Sequence, residues 1–227
     1  MDEVVMSPDR SVLAPPGQVK AASAGMITRP PGYSHPMSLT KLRKEACACR
    51  NCDLYKDATQ TVFGEGPARA RMVLVGETPG DQEDRKGAPF VGPAGRLLDR
   101  AMHDAGIERT DVYLTNAVKH FKFTERGKRR IHKTPNRTEV VACRPWLLGE
   151  LDEVKPELVV CLGSVAAKAL LGPSFLVTRH RGEFFDLPDS TAKATATVHP
   201  SAVLRADNRD DAYGDFVNDL VAAYAIL

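Results

Sequence analysis

A basic run with a single imidazole inside it occupies residues 128–133, in the order Lys-Arg-Arg-Ile-His-Lys. Such cations attract a phosphate backbone, which binds proteins largely through charge neutralisation and counterion release. They also disfavour a further positive charge, so we expect the pKa of His132 to be lowered and its ring to be neutral. A neutral imidazole beside a polyanion is a nucleophile or a base. The alternative is a solvated basic loop or a localisation signal, which is the commoner meaning of such a run.

Four cysteines have a spacing that suits a metal centre. Cys49 and Cys52 form a C-x2-C pair, and Cys143 and Cys161 lie far downstream. Zinc and a four-iron cluster both accept four thiolates, but zinc sites usually come as two close pairs, so one close pair favours iron–sulfur without deciding the question. Cys161 lies in an apolar run and Cys143 in a helical pattern. Each therefore has a second interpretation as a buried thiol.

The composition suits one domain with appendages. The chain has 227 residues, 43% of them hydrophobic, and a formal net charge of +2, so nucleic-acid binding must rest on local clusters of charge. No apolar run approaches the ~20 residues that cross a bilayer, and residues 1–5 lack the basic start of a secretory signal. We therefore expect a cytoplasmic protein without a membrane partner, whose five cysteines serve as ligands or buried thiols.

The elements that position these residues follow from hydrophobic periodicity. Residues 1–37 are rich in proline and predict a flexible tail, and residues 38–227 predict one domain. Short apolar runs predict strands at Met72–Val75, Val112–Thr115, Leu158–Leu162 and Ala194–Val198. Helical spacing predicts helices at Ala94–Asp104, Thr138–Val154, Ser164–Leu171 and Tyr213–Ala225. The alternation predicts an α/β fold of three layers with a mostly parallel four-stranded sheet, whose ligand crevice lies beyond the carboxyl ends of the strands.

Polar segments stand at those strand ends. Residues 76–80, Gly-Glu-Thr-Pro-Gly, follow the first strand and lead to residues 90–96, Phe-Val-Gly-Pro-Ala-Gly-Arg. Asn116 ends the second strand, and His199-Pro200-Ser201 ends the last. Together with the cysteines, this ordered set resembles the iron–sulfur uracil-DNA glycosylases related to family 4, over roughly residues 42–227. The run at 128–132 resembles the mark of the UdgX subgroup, whose members become covalently attached to uracil-containing DNA.

The resemblance implies a DNA-repair enzyme that excises uracil and becomes attached to the deoxyribose C1′ through His132 in a single turnover. It implies catalytic roles for His132, Glu77 and His199. It implies uracil contacts for Phe90 as a stacking platform, Asn116 as the reader of the base edge, and Thr78, Gly76 and Asp81. It implies DNA contacts for Lys128, Arg129, Arg130, Ser201 and Gly95. It implies a 4Fe-4S cluster on Cys49, Cys52, Cys143 and Cys161, with an organising rather than a redox role.

One residue departs from the subgroup pattern. UdgX-type proteins usually carry glutamine where Thr78 stands, which predicts a weaker covalent step here and a less affected glycosylase step. The partner we expect is uracil-containing DNA, preferably single-stranded, and the protein is expected to act as a monomer. Two alternatives stay open: a conventional glycosylase that turns over, and a non-catalytic nucleic-acid-binding module with a structural metal.

Overall fold

The computed structural model describes residues 38–227 and the backbone of residues 20–21. The remainder of the predicted flexible tail at 1–37 lies outside the described residues. The strands are β1 Lys20–Ala21, β2 Met72–Gly76, β3 Val112–Asn116, β4 Phe123–Arg126, β5 Arg129–His132, β6 Leu158–Leu162, β7 Phe184–Asp186 and β8 Lys193–Thr197. The helices are α1 Leu39–Cys47, α2 Asp81–Lys86, α3 Pro93–Asp104, α4 Arg137–Val154, α5 Ser164–Leu171, α6 Val177–His180, α7 Pro200–Val203 and α8 Arg209–Tyr224.

The central sheet is mostly parallel, as predicted, but larger than the four strands expected. Its order is β1-β7-β8-β6-β2-β3. The four predicted strands all form and pair in parallel, while β7 adds a fifth, antiparallel strand beside β8, and the two residues of β1 pair with β7. A three-residue strand such as β7 is too short to show a period of two, so the sequence pattern did not reveal it.

Helices cover both faces of the sheet and produce two hydrophobic cores. Met72 and Leu74 of β2 join the core that includes side chains of α3 and α8, whereas Val73 and Val75 join the one that includes α4 and α5. The alternation follows from the side-chain period of two along a strand. Because both faces are buried, the parallel strands are apolar throughout.

The carboxyl ends of the strands meet at one edge, as predicted. Gly76 at the end of β2 pairs in register with Asn116 at the end of β3, so Glu77 leaves the sheet beside Asn116. The end of β8 leads to His199 at the start of α7. The chain between β3 and α4 folds back as an antiparallel hairpin, β4–β5, which contains the basic run expected in a loop. None of the helices in residues 38–227 is both long and apolar enough to span a membrane.

Candidate active site

One cleft lies at this edge of the sheet and collects most of the predicted catalytic and uracil-binding residues. Its volume is about 550 Å³. It is lined by Glu77, Thr78, Asp81, Glu83, Phe90, Asn116, Ile131, His132, His199, Ser201, Leu204 and Arg205, among others. The lining combines an aromatic ring, a carboxamide, carboxylates and two imidazoles, which is the equipment needed to hold a small polar ring and act on it.

Phe90 and Asn116 both lie against Gly76. A methyl group added to Gly76 would come within 2.3 Å of Asn116 Oδ1 and 2.7 Å of the Phe90 ring, so only glycine fits. Phe90 itself has a φ of 55°, in the left-handed region, and a methyl group at Gly95 would meet its carbonyl oxygen at 1.8 Å. Gly95 therefore packs directly against the backbone of Phe90. The DNA contact expected of Gly95 stays a prediction.

His199 is held as a neutral ring whose tautomer follows from its hydrogen bonds. The backbone N–H of Ser201 donates to Nδ1 over 3.1 Å, and the Ser201 hydroxyl lies 2.8 Å from the same nitrogen. Because Nδ1 accepts, the ring proton sits on Nε2, which is left as a donor. Burial, with His132 and Arg205 nearby, lowers the pKa of His199 to about 4. Ser201, predicted to hold a phosphate, thus supports the imidazole.

Glu77 is a carboxylate with an unused oxygen. Oε1 is buried and has no hydrogen-bond partner among the described residues. Burial raises the pKa of this carboxyl, and a hydrogen bond from Thr134 and the charge of Arg205 act the other way. A buried acceptor without a donor is costly, and such groups concentrate at functional sites.

His132 faces Glu77 from the hairpin. Its Nε2 lies 4.0 Å from Glu77 Oε1, beyond hydrogen-bonding distance, and its side chain is 45% exposed. The pKa of His132 is lowered, as predicted, but the causes differ from the expected ones. Burial is the largest cause, and the charge of Arg205 follows; the neighbouring basic run is not among them.

Arg130 anchors the hairpin, whereas the sequence predicted a phosphate contact. Its side chain is 13% exposed, and its guanidinium donates to Asp81 Oδ1 at 2.5 Å and to Asp84 Oδ2 at 2.7 Å. The guanidinium also lies over the rings of Phe121 and Phe123, at 5.2 and 5.0 Å from their centroids. Asp81, predicted to contact uracil, is engaged by Arg85 and Arg130. The pair of acids on α2 therefore fixes the strand that carries His132.

The other predicted DNA contacts and Thr78 have separate positions. Lys128 lies in the exposed turn of the hairpin and Arg129 is exposed at the start of β5. Both are open to a phosphate backbone. Thr78 is buried, and its hydroxyl donates to the carbonyl of His120 over 2.7 Å. Thr78 therefore secures the segment that follows Asn116.

Two charged residues of the cleft were missed by the sequence reasoning. Glu83 is buried and accepts from Gly80 N at 3.2 Å and Gly92 N at 2.6 Å, so it joins the two glycine-containing loops. A glutamate three residues after the helix-starting Gly80 is the acidic half of a capping box, and this signal could have revealed it. Arg205 acts on the pKa values of both imidazoles. Nothing in the local pattern distinguishes it from a surface arginine.

The cysteines do not all come together. Cys143 packs with Cys52, Leu54 and Val118, and Trp146 of the same group donates its indole N–H to Cys49 Sγ over 3.2 Å. Cys161 lies instead in the large core under α5, where burial raises its pKa to about 12. No three His, Cys, Asp or Glu side chains of the described residues are arranged around a single ion. A four-iron cluster, however, spreads its ligands around a cube.

His120 lies near Cys143 and could supply the fourth cluster ligand that the distant Cys161 cannot. It is buried and follows Lys119, whose backbone N–H donates to Cys143 Sγ over 3.1 Å. Its Nε2 lies 2.9 Å from the Thr61 hydroxyl, which itself donates to a backbone carbonyl. Nε2 is then the donor, and Nδ1 keeps its lone pair, as in a metal-ligating imidazole. N–H donors on Cys49 and Cys143 likewise suit thiolates that hold iron.

Comparisons with known proteins show the family of this chain. A profile of the uracil DNA glycosylase superfamily matches residues 63–221. A type-4 uracil-DNA glycosylase of Archaeoglobus fulgidus is 36% identical over 186 residues, which are 79% of this chain and 90% of that protein. One of Pyrobaculum aerophilum is 36% identical over 193 residues, 81% of this chain and 92% of that protein. One of Thermotoga maritima is 37% identical over 158 residues, 69% of this chain and 78% of that protein. The chain therefore belongs to the uracil-DNA glycosylase superfamily and is closely similar to its type-4 members.

Proposed function

We propose that this protein is a uracil-DNA glycosylase of DNA repair that ends its reaction covalently attached to DNA through His132. The main support is the cleft that brings together an aromatic ring, a carboxamide, a carboxylate and two imidazoles whose pKa values are lowered. The similarity to type-4 uracil-DNA glycosylases supports the same reaction class. Lys128 and Arg129, exposed on the hairpin, would take the phosphates of a single strand, and the protein would act as a monomer.

Recognition begins when the uracil nucleotide leaves the base stack and enters the cleft. The ring of Phe90 stacks on the base, since an aromatic face suits any pyrimidine. The Asn116 carboxamide offers one donor and one acceptor, which pair with uracil O4 and N3–H. Cytosine presents the reverse pattern and is rejected.

Cleavage breaks the bond between uracil N1 and C1′, and the electron pair leaves with the base. His199 donates its Nε2–H to uracil O2, where negative charge grows, and it does so as a neutral ring because its pKa is about 4. The Glu77 carboxylate lines the cleft and has no hydrogen-bond partner on Oε1 among the described residues, so it is available to offset the positive charge of the oxocarbenium ion.

Attachment follows when the Nε2 lone pair of His132 forms a bond to C1′. The alkylated ring is then positively charged, which the nearby Glu77 carboxylate offsets, and loss of the Nδ1 proton to solvent restores neutrality. The lowered pKa of His132 keeps that lone pair available at neutral pH. The neutral alkylated imidazole is a poorer leaving group than uracil, so water does not displace it and the reaction stops after one event.

A 4Fe-4S cluster completes the proposal, with Cys49, Cys52, Cys143 and His120 as its ligands. When bound, it would cross-link segments rather than carry electrons in the reaction. The residues concerned join the loop after α1 to α4 and to the chain that follows Asn116. Cys161 is not included because it lies in another core.

A denaturing gel tests the proposal. The full chain is incubated with a single-stranded oligonucleotide carrying one deoxyuridine, and an identical strand carrying thymidine is the control. A shifted protein–DNA band that requires uracil and disappears in His132→Gln is the expected result. Absence of both a shifted band and released uracil would refute the glycosylase assignment.

A second candidate is a conventional glycosylase that turns over. Thr78 favours it, because its hydroxyl is committed to the His120 carbonyl and does not reach the hairpin histidine. In that case Glu77 would direct water to C1′. Multiple uracils released per protein, with no shifted band, would establish this alternative over covalent attachment.

A further inference from the structure

A buried ion pair lies directly behind the base reader. Lys119 is 1% exposed and Glu150 is 0% exposed, and Nζ of the lysine lies 2.5 Å from Oε2 of the glutamate. Burying two charges costs more than their attraction usually returns, and an apolar pair of similar volume is often as stable. Because this pair contributes little net stability, it is a candidate for positioning a nearby functional residue.

The Lys119 ammonium is fully used. Its three donors match three acceptors: Glu150 Oε2, the Thr115 hydroxyl at 2.7 Å and the backbone carbonyl of Asn116 at 2.8 Å. The Thr115 hydroxyl in turn donates to the same Glu150 oxygen over 2.8 Å. Of these three acceptors, only the Asn116 carbonyl belongs to a residue that lines the cleft.

That carbonyl needs such a partner because β3 is the outermost strand. The outward-facing groups of Leu114 pair with Glu65. Two residues later, the outward-facing carbonyl of Asn116 has no strand beside it, and the ammonium takes that place. Meanwhile Ala117 N donates inward to Gly76 O, so the peptide after Asn116 is fixed from both sides.

The lysine is itself rigidly held. Its backbone N–H donates to Cys143 Sγ over 3.1 Å, and its carbonyl accepts from Val62 N over 2.8 Å. The ammonium therefore reaches Asn116 from a fixed base. Glu150 is fixed on its other oxygen by Gly64 N at 2.8 Å and the Tyr113 hydroxyl at 3.1 Å.

We propose that Lys119 and Glu150 are positioning residues that orient the Asn116 peptide and, through it, the carboxamide that distinguishes uracil from cytosine. This role rests on the proposed function, because it presupposes that Asn116 reads the base. It adds two residues outside the cleft to the determinants of base choice.

The test uses a neutral, isosteric double variant, Lys119→Met with Glu150→Gln. The glutamine Oε1 still accepts from Gly64 N and Tyr113, and its Nε2 faces the Thr115 hydroxyl, so no buried charge is stranded. The single variant Lys119→Met would leave Glu150 charged and is expected to be much less stable. Tyr113→Phe is the matched control, since it removes a bond to Glu150 on the side away from Asn116.

The readout is the affinity ratio for two single strands, one with 2′-fluoro-2′-deoxyuridine and one with 2′-fluoro-2′-deoxycytidine, which resist cleavage. The folded double variant should lose about tenfold in this ratio, since one misdirected hydrogen bond to the base is worth roughly that factor. Tyr113→Phe should lower the midpoint of urea unfolding and leave the ratio unchanged. A general loss of packing would not shift a ratio measured on folded protein.

An unchanged ratio in the folded double variant overturns the inference. If that variant does not fold, Thr115→Val removes one acceptor of the ammonium and no charge, and a smaller loss of the same ratio is expected; an unchanged ratio there also overturns it. Failure of the proposed function looks different: the wild-type chain itself would show no preference for the uracil strand.

Discussion

The hairpin that carries His132 should depend on Arg130 more than on any other cation of its basic run. Arg130→Met removes the guanidinium from Asp84, which is fully buried, and from Asp81, which is 38% exposed and keeps Arg85. Breaking a buried pair on one side costs about 3–5 kcal/mol, and we take the lower figure because Asp84 retains the N–H of Thr59.

The cost should fall on the hairpin and not on the whole domain. A two-stranded hairpin is at best marginally stable by itself, so a loss of about 3 kcal/mol raises its open population by roughly a hundredfold. His132 would then spend little time near C1′. The yield of covalent adduct should drop steeply, while uracil release through Glu77 and Asn116 continues.

The assay pairs hydrogen exchange with the denaturing gel. Amide protection of Lys133, whose N–H donates to Lys122 O over 2.8 Å, reports the closed hairpin. Arg129→Met is the matched control, because it removes the same charge from the exposed neighbour. It should lower DNA affinity and the salt slope by about one ion without altering protection. Full protection and full adduct yield in Arg130→Met would show that the anchor does not hold His132.

Further perturbations have defined outcomes. His132→Gln should abolish the adduct and leave uracil release; in the wild type, adduct formation should rise with pH only up to the lowered pKa of His132 and be flat above it, in a pH series of initial rates. Glu77→Gln should abolish uracil release. It should also raise the free energy of unfolding at neutral pH, because burial raises the pKa of this carboxyl and the wild-type protein therefore loses stability as pH rises from the unfolded to the folded pKa. Urea titrations of both proteins at two pH values measure the difference. Cys143→Ala should lose bound iron, whereas Cys161→Ala should keep the iron-to-protein ratio of the wild type, measured by elemental analysis. Gly76→Ala should displace the Asn116 carboxamide and the Phe90 ring, lower the free energy of unfolding by about 1–3 kcal/mol, and bind the uracil strand no better than the thymidine strand, in fluorescence anisotropy.

The sequence predicted the elements whose signal is local. The apolar runs at 72–75 and 158–162 have to be buried on both faces, and parallel strands send their carboxyl ends to one edge, so the meeting of Glu77 with Asn116 followed. His199 came with the same reasoning, because it follows the last predicted strand. These placements are consequences of periodicity and topology, whereas the role of Phe90 as a base platform came only from the resemblance to the iron–sulfur uracil-DNA glycosylases.

What the sequence could not predict depends on partners far along the chain. Arg130 finds Asp84 across 46 residues, and no pattern distinguishes an anchored arginine from one that waits for phosphate. The residue type of Cys161 suits a metal ligand, but its surroundings are those of a core residue, and only the three-dimensional packing distinguishes the two interpretations. Half of the residues in β4 and β5 are charged, so these strands lacked the apolar alternation that would have indicated a hairpin.

The register between Gly76 and Asn116 has a further meaning for how this scaffold can change. Adjacent strands lie about 4.8 Å apart, an interval that backbone geometry sets and that side-chain mutation does not alter. The carboxylate that follows β2 and the carboxamide that ends β3 are consequently held at a spacing that the sheet backbone sets. A substitution at either position keeps this spacing. The scaffold can therefore change the functional groups at the two strand ends and still accept a nucleoside of the same size.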